Sequence, residues 1–141
     1  MSKIETYRGL VMAQETDSNE HMNVQFYTTK YDMASGQLMA ALGQDFQTMK
    51  AQNKGFAYVQ MNIRYMKEVL EDDPIHIETK VLGVGNKVVT IQHEMIHSIT
   101  KKVHSDAIAK WVVFDTKIRK AIQLEEEVKK QLESMIDLPT P

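Results

Sequence analysis

The sequence predicts an α+β domain in which an antiparallel sheet wraps round one long helix, with a second helix at the C-terminal end. Three observations predict it. Val24, Tyr27, Tyr31, Ala34, Leu38 and Leu42 recur at steps of three and four, the spacing of one buried helix face. From Ala57 to Thr116 the period drops to two, in runs separated by turn residues. From Leu124 the helical spacing returns, with Leu124, Val128, Leu132 and Ile136 on one stripe.

Length and composition set the outer bounds. A chain of 141 residues, 43% hydrophobic and 26% charged, is expected to form one domain over 1–141 with a real core. The net charge is −2 and no basic cluster stands out, so the electrostatic footprint of a nucleic-acid binder is missing. There is no cysteine, which removes disulfides, thiolate metal sites and a cysteine nucleophile together and suits a reducing cytoplasm. The start, Met1-Ser2-Lys3-Ile4-Glu5, lacks a signal-peptide core, and no run approaches the roughly 18 apolar residues of a membrane span. The expectation is a cytoplasmic protein with no membrane partner. The 10 methionines are read as adaptable core filling, with a pliable pocket for an apolar chain as the alternative.

Each element has a local justification. Ile4 to Ala13 ends in Leu10-Val11-Met12-Ala13 and reads as the first strand. The polar run Asp17-Ser18-Asn19-Glu20-His21-Met22-Asn23 follows, and Asn23 is a favourable N-cap for a helix over 24–42. Gly43 stands where a helix C-terminus wants a left-handed residue. Gly36 inside the helix costs about 1 kcal/mol against Ala, so close packing of helix on sheet is expected there. A polar loop is expected around Lys50 to Lys54, then a strand from Ala57 to Met66 with Ala57, Val59, Met61, Ile63 and Tyr65 on one face. Asp72-Asp73-Pro74, Gly83-Val84-Gly85-Asn86 and Lys101-Lys102 are turns separating strands at 75–81, 87–100 and 103–116. Short turns between consecutive strands predict an antiparallel meander, and only the 24–42 helix is apolar enough to cover it. Leu138-Pro139-Thr140-Pro141 closes the last helix.

One motif is a decoy. His93-Glu94-Met95-Ile96-His97 fits HExxH, which grips zinc only from a helix, where residues four apart share a face. Here it sits among strand formers, and four extended residues at ~3.3 Å each hold the two imidazoles too far apart for one metal. No metal site is expected. Serine catalysis finds no G-x-S-x-G elbow, and Gly83-Val84-Gly85 leads into a strand rather than a phosphate-binding helix. Carboxylates remain. Asp17 lies just before a helix whose first N–H groups lack backbone partners and carry partial positive charge. A carbonyl at that N-terminus has its developing oxyanion stabilised, and Asp17 can attack the carbonyl or deprotonate a water. The alternative is a carboxylate that only shapes the loop or caps the helix.

The segment Asp17-x-x-x-His21-x-Asn23-x-x-x-Tyr27 before a helix resembles the 4-hydroxybenzoyl-CoA thioesterase-like branch of the hotdog-fold acyl-CoA thioesterases, whose motif reads D-x-x-G-H-x-N-x-x-x-Y. Ile63 and Tyr65 with Asp73, and Val113-Phe114-Asp115-Thr116-Lys117, are similar to that family's later strands. His21-Met22-Asn23-Val24 with Phe26-Tyr27 resembles the members associated with carnitine and betaine breakdown.

The resemblance implies a hotdog fold and hydrolysis of an acyl-CoA to free acid and CoA. It makes Asp17 the catalytic carboxylate and the Val24 N–H the group that polarises the carbonyl. His21 and Asn23 take motif positions that shape the loop, with a proton shuttle the other reading of His21. Tyr27 packs in the helix core, and Asp32 matches an acidic helix position, an exposed charge with a substrate contact as the alternative. Glu20 departs from the family, which has Gly before the histidine; a positive φ there suits glutamate poorly, and a second carboxylate in the site is the other reading. The resemblance also implies a homodimer or homotetramer, and no cofactor beyond the CoA of the substrate. Arg64, Lys67, Lys101 and Lys102 are available cations for its phosphates. A hotdog dehydratase or hydratase using His21 with Asp17, and a non-catalytic acyl-CoA binding module, are the alternatives.

Overall fold

A computed structural model describes residues 3–136; the residues outside that range include the expected closing segment Leu138 to Pro141. The elements run β1 (Lys3–Leu10), α1 (Val24–Ala41), α2 (Phe46–Ala51), β2 (Lys54–Tyr65), β3 (Pro74–Val84), β4 (Val88–His97), β5 (Val103–Asp115), β6 (Lys120–Ile122) and α3 (Glu126–Ser134). The antiparallel sheet has the order β1-β3-β4-β5-β2, and the short β6 pairs with the end of β5. This is the expected hotdog arrangement, a sheet curled round one long helix.

The helix forms as its sequence dictates. The Asn23 side chain accepts the Gln25 N–H at 3.1 Å, and Gly43 takes φ +78° just past the C-terminus. Tyr27, Tyr31, Ala34, Leu38 and Met39 are buried on one face, and each large apolar side chain withdrawn from water contributes about 1.5–3 kcal/mol, far more than helix propensity does. Around Trp111, Leu38 and Ile91 one end of the core forms with Val128 and Leu132 of α3; Tyr27, Tyr31, Val69 and Met95 fill the other.

Two polar residues share the buried face of α1, Lys30 and Ser35. Ser35 reaches His93, whose Nε2 lies 3.1 Å from its Oγ, while His93 Nδ1 lies 2.6 Å from Thr79 Oγ1. Thr79 in turn meets Thr6 at 2.8 Å, and the Tyr31 ring stacks on the imidazole. The HExxH histidine is thus a satisfied core residue on a strand. Its companion His97 ends β4 beside Asp73, at 3.5 Å.

Several expectations need correction. The first strand stops at Leu10; Val11 instead bonds Asp73 and Asp72 through its backbone, and Ala13–Glu15 is a 3-10 turn. The residues after Leu42 hold a short helix, α2, because Asp45 caps it by accepting the Thr48 N–H at 3.3 Å. Gly36 makes room for α2 rather than for the sheet, since a Cβ there would lie 2.8 Å from the Phe46 ring. In β2 the register shifts between Tyr58 and Gln60, so Val59 faces out at 59% exposure while Phe56, Tyr58, Met61 and Ile63 turn to the core. The consecutive strands are not one meander either. β3, β4 and β5 are, but β2 pairs with β5 at the far edge. The link from β2 to β3 therefore crosses the end of the sheet.

Candidate active site

The Asp17 loop is a tight ring of backbone bonds. Thr16 and Met22 bridge, Asp17 N–H donates to the His21 carbonyl at 3.1 Å, and Glu20 N–H donates to the Asp17 carbonyl at 2.8 Å. Closing that turn needs a left-handed residue, and Glu20 takes φ +63°, where a side chain is disfavoured. Met22, 2% exposed, anchors the ring in the core, and its N–H donates to the Val69 carbonyl at 2.7 Å.

Within the ring the Asp17 carboxylate is held from two sides. Oδ1 accepts the Asn19 N–H at 2.8 Å and Oδ2 accepts Asn23 Nδ2 at 3.0 Å. Those hydrogen bonds, the Asn19 amide first, hold its pKa below the usual aspartate value, with His21 adding a smaller electrostatic contribution. Asp17 is therefore ionised at neutral pH. Asn23 serves both partners, since its Oδ1 is the helix cap. The next N–H, that of Val24, has no hydrogen-bond partner among the described residues and opens the helix with its partial positive charge.

Beside this loop lies an open cleft of about 320 Å³ lined by His21, Val24, Tyr27, Tyr65, Lys67 and Glu68, with methionine side chains between them. The crossing link from β2 to β3 supplies Lys67 and Glu68. Tyr27 is buried, edge-on to Tyr65 at 4.8 Å between ring centres. Burial, with Tyr65 and Glu68 nearby, pushes the Tyr27 hydroxyl up to about 12, so Tyr27 is a wall and not an acid or base near neutral pH. His21 stands between two carboxylates, Nε2 at 3.8 Å from Asp17 Oδ1 and Nδ1 at 3.6 Å from Glu68 Oε2.

The structure thus brings Asp17, His21, Asn23, Val24 and Tyr27 together. Glu20 stays exposed, its carboxylate has no hydrogen-bond or ion-pair partner among the described residues, and it shapes the loop through its backbone. Asp32 is exposed two helical turns past Val24, facing the Tyr58 hydroxyl. Neither joins the cleft. Among the cations, Lys67 lines it and Arg64 is committed to Asp106. Among the described residues no cluster of His, Asp and Glu is arranged to hold a metal ion. Sequence reasoning missed Tyr65, Met66 and Glu68, because it expected β2 to turn directly into β3.

The chain is similar to known proteins. A betainyl-CoA thioesterase of Pseudomonas aeruginosa is 28% identical over 90 residues, which span 64% of this chain and 57% of that protein. The long-chain acyl-CoA thioesterase FadM of Escherichia coli is 31% identical over 97 residues, 64% of this chain and 69% of its own length. The fold matches that of a Staphylococcus aureus protein solved in complex with CoA, at a TM-score of 0.87 and 12% identity over 99% of this chain and 90% of that one. The family model of the Thioesterase-like superfamily matches residues 11–132. That span takes in the Asp17 loop, the helix it caps and the sheet around them, and the chain belongs to the Thioesterase-like superfamily.

Proposed function

We propose that this protein hydrolyses an acyl-CoA thioester to the free acid and CoA, with Asp17 as the reactive carboxylate and the Val24 N–H as the group that polarises the carbonyl. One observation carries the reading: Asn23 holds the Asp17 carboxylate with its amide and the start of α1 with its carbonyl, so the acid and the open helix terminus are fixed relative to one another. A thioester carbonyl in the cleft places its oxygen at that terminus, where negative charge developing on it is stabilised. The lowered pKa keeps Asp17 ionised at neutral pH, the form in which it attacks the carbonyl carbon. The C–S bond breaks, CoA leaves as thiolate and takes a proton from solvent, and water opens the acyl–Asp17 anhydride to give the acid. No cofactor enters this scheme. Lys67 on the rim is the cation nearest to hand for the CoA phosphates.

The proposed assembly is a homodimer formed along β2. This strand lies at the sheet edge, so its outer backbone groups are open to pairing with a second copy. A cytoplasmic location accords with the composition.

Thiol release measured over a panel that includes betainyl-CoA and long-chain acyl-CoAs tests the function. Free CoA is the expected product, and Asp17→Asn is expected to remove most of kcat while fold and oligomer persist; His21→Ala costs less. Near-normal turnover in Asp17→Asn sinks the assignment of the acid. A change in enoyl absorbance without thiol release points instead to hydration, and thermal stabilisation by acyl-CoA without turnover to binding alone.

A further inference from the structure

Lys30 is a charge in the wrong place. It lies on the buried face of α1 at 4% exposure, where lysine is seldom found unless paired. Its Nζ lies 2.8 Å from Glu15 Oε2, donates to the Tyr7 hydroxyl at 3.0 Å, and sits 5.1 Å from the centre of the Tyr7 ring. Burial works against the charge, but Glu15 and Tyr7 outweigh it and keep the ammonium protonated. Three separate elements meet here: β1 through Tyr7, the 3-10 turn through Glu15, and α1. The ring reaches this point by lying over Gly9, where a Cβ would fall 2.8 Å from the Tyr7 oxygen.

Glu15 uses its remaining acceptors on the loop. Its Oε1 accepts the Met12 N–H at 2.8 Å, and its backbone carbonyl accepts the Asn23 N–H, also at 2.8 Å. Asn23 in turn donates to Asp17 Oδ2. Three hydrogen bonds, joined through the covalent frames of Glu15 and Asn23, therefore link the buried ammonium to the carboxylate. A buried ion pair is a weak source of stability, because desolvation offsets the attraction, whereas its geometry is demanding. What this pair supplies is placement.

We propose that Lys30 and Glu15 are positioning residues that set the Asp17 carboxylate against the start of α1, acting through Asn23. The proposal rests on the thioesterase reading for its kinetic consequence but not for its structural one.

The test is a Lys30→Met, Glu15→Gln double variant, which removes both charges and leaves neither buried alone. The expected result is a folded protein of unchanged oligomeric state whose kcat falls by about tenfold or more while KM stays within about twofold. The carboxyl titration of Asp17, followed by NMR, is expected to move up. Added to Asp17→Asn, the pair of changes is expected to cost nothing further, because it acts through the group already removed. Wild-type kcat, or a loss that multiplies with that of Asp17→Asn, overturns the proposal. If the wild-type protein releases thiol from no acyl-CoA, the thioesterase reading fails instead, and the Asp17 titration still decides this one: an unmoved midpoint overturns it. Should the double variant not fold, Tyr7→Phe keeps the ring and removes one acceptor of the ammonium. It is expected to move the Asp17 titration in the same direction by less, and an unmoved midpoint there counts equally against the proposal.

Discussion

The amide nitrogen of Asn23 donates to Asp17 Oδ2 at 3.0 Å, while the oxygen of the same side chain caps α1. The two roles separate by substitution. Asn23→Asp keeps the cap but faces one carboxylate with another, so the Asp17 pKa is expected to rise and kcat to fall by about tenfold or more. Asn23→Ser keeps a shorter cap and loses only the amide. Asn23→Ala loses both, at a cost of about 1 kcal/mol in denaturant titrations. In the wild-type protein the acid limb of kcat against pH is expected below the ordinary aspartate value of ~3.9, and in Asn23→Asp above it. Equal acid limbs in the two proteins would mean that the amide does not tune the carboxylate.

Glu20 closes the Asp17 turn at φ +63° with a side chain that has no hydrogen-bond or ion-pair partner among the described residues. A left-handed backbone costs a side-chain-bearing residue roughly 1–2 kcal/mol, and glycine recovers that against its greater freedom in the unfolded chain, ~0.5–1 kcal/mol. Glu20→Gly is therefore expected to stabilise by up to about 1 kcal/mol, and Glu20→Val to destabilise by more than that, because a β-branched residue suits this region worst. Urea midpoints check both. A Glu20→Gly variant less stable than wild type would show that the carboxylate has a partner in solution.

Gly36 and Phe46 form a second close pair. Replacing a mid-helix glycine by alanine is worth about 1 kcal/mol in propensity, but here the new methyl meets the Phe46 ring, which itself packs on Phe56 at 5.5 Å. Gly36→Ala alone is expected to change stability by less than ~0.5 kcal/mol, the two effects cancelling. In a Phe46→Ala background the same change is expected to stabilise by about 1 kcal/mol. The double-mutant cycle measures the difference, and a full gain in the wild-type background would remove the ring as the constraint.

The parts legible in the sequence are those fixed by local periodicity and capping. Asn23, the 24–42 stripe and Gly43 define α1 in advance, and the 124–136 stripe defines α3, because each depends on neighbours a turn away. The polar run before α1 is legible as a candidate site for the same reason. What escaped was non-local. Nothing near Val59 announces the bulge that turns it outward, and nothing in Met66 to Asp73 says that this link crosses the sheet to bring Glu68 beside His21. Lys30 reads as an ordinary surface lysine until Glu15 and Tyr7, distant in sequence, are folded against it.

His93 makes the fold's acid sensitivity predictable. It is fully buried and satisfied by Thr79 and Ser35, and burial pushes its pKa down to about 3 from an ordinary ~6.5. The unfolded chain binds the proton more readily, so the stabilisation from His93 is fully present above pH ~6.5 and is lost progressively as pH falls toward 3. Glu5, Asp17, Asp45 and Asp115 have carboxylates held below their ordinary values, and their contributions disappear only beneath about pH 4.5. Between those limits the slope of unfolding free energy against pH should therefore carry the His93 proton. His93→Gln keeps a hydrogen-bonding side chain among Thr79, Ser35 and the Tyr31 ring but cannot titrate. It is expected to be less stable than wild type at pH 7 and to lose stability less steeply between pH ~6.5 and ~4.5, so that the two curves converge toward acid. Parallel curves across that window would assign the slope to other groups and leave His93 a packing residue alone.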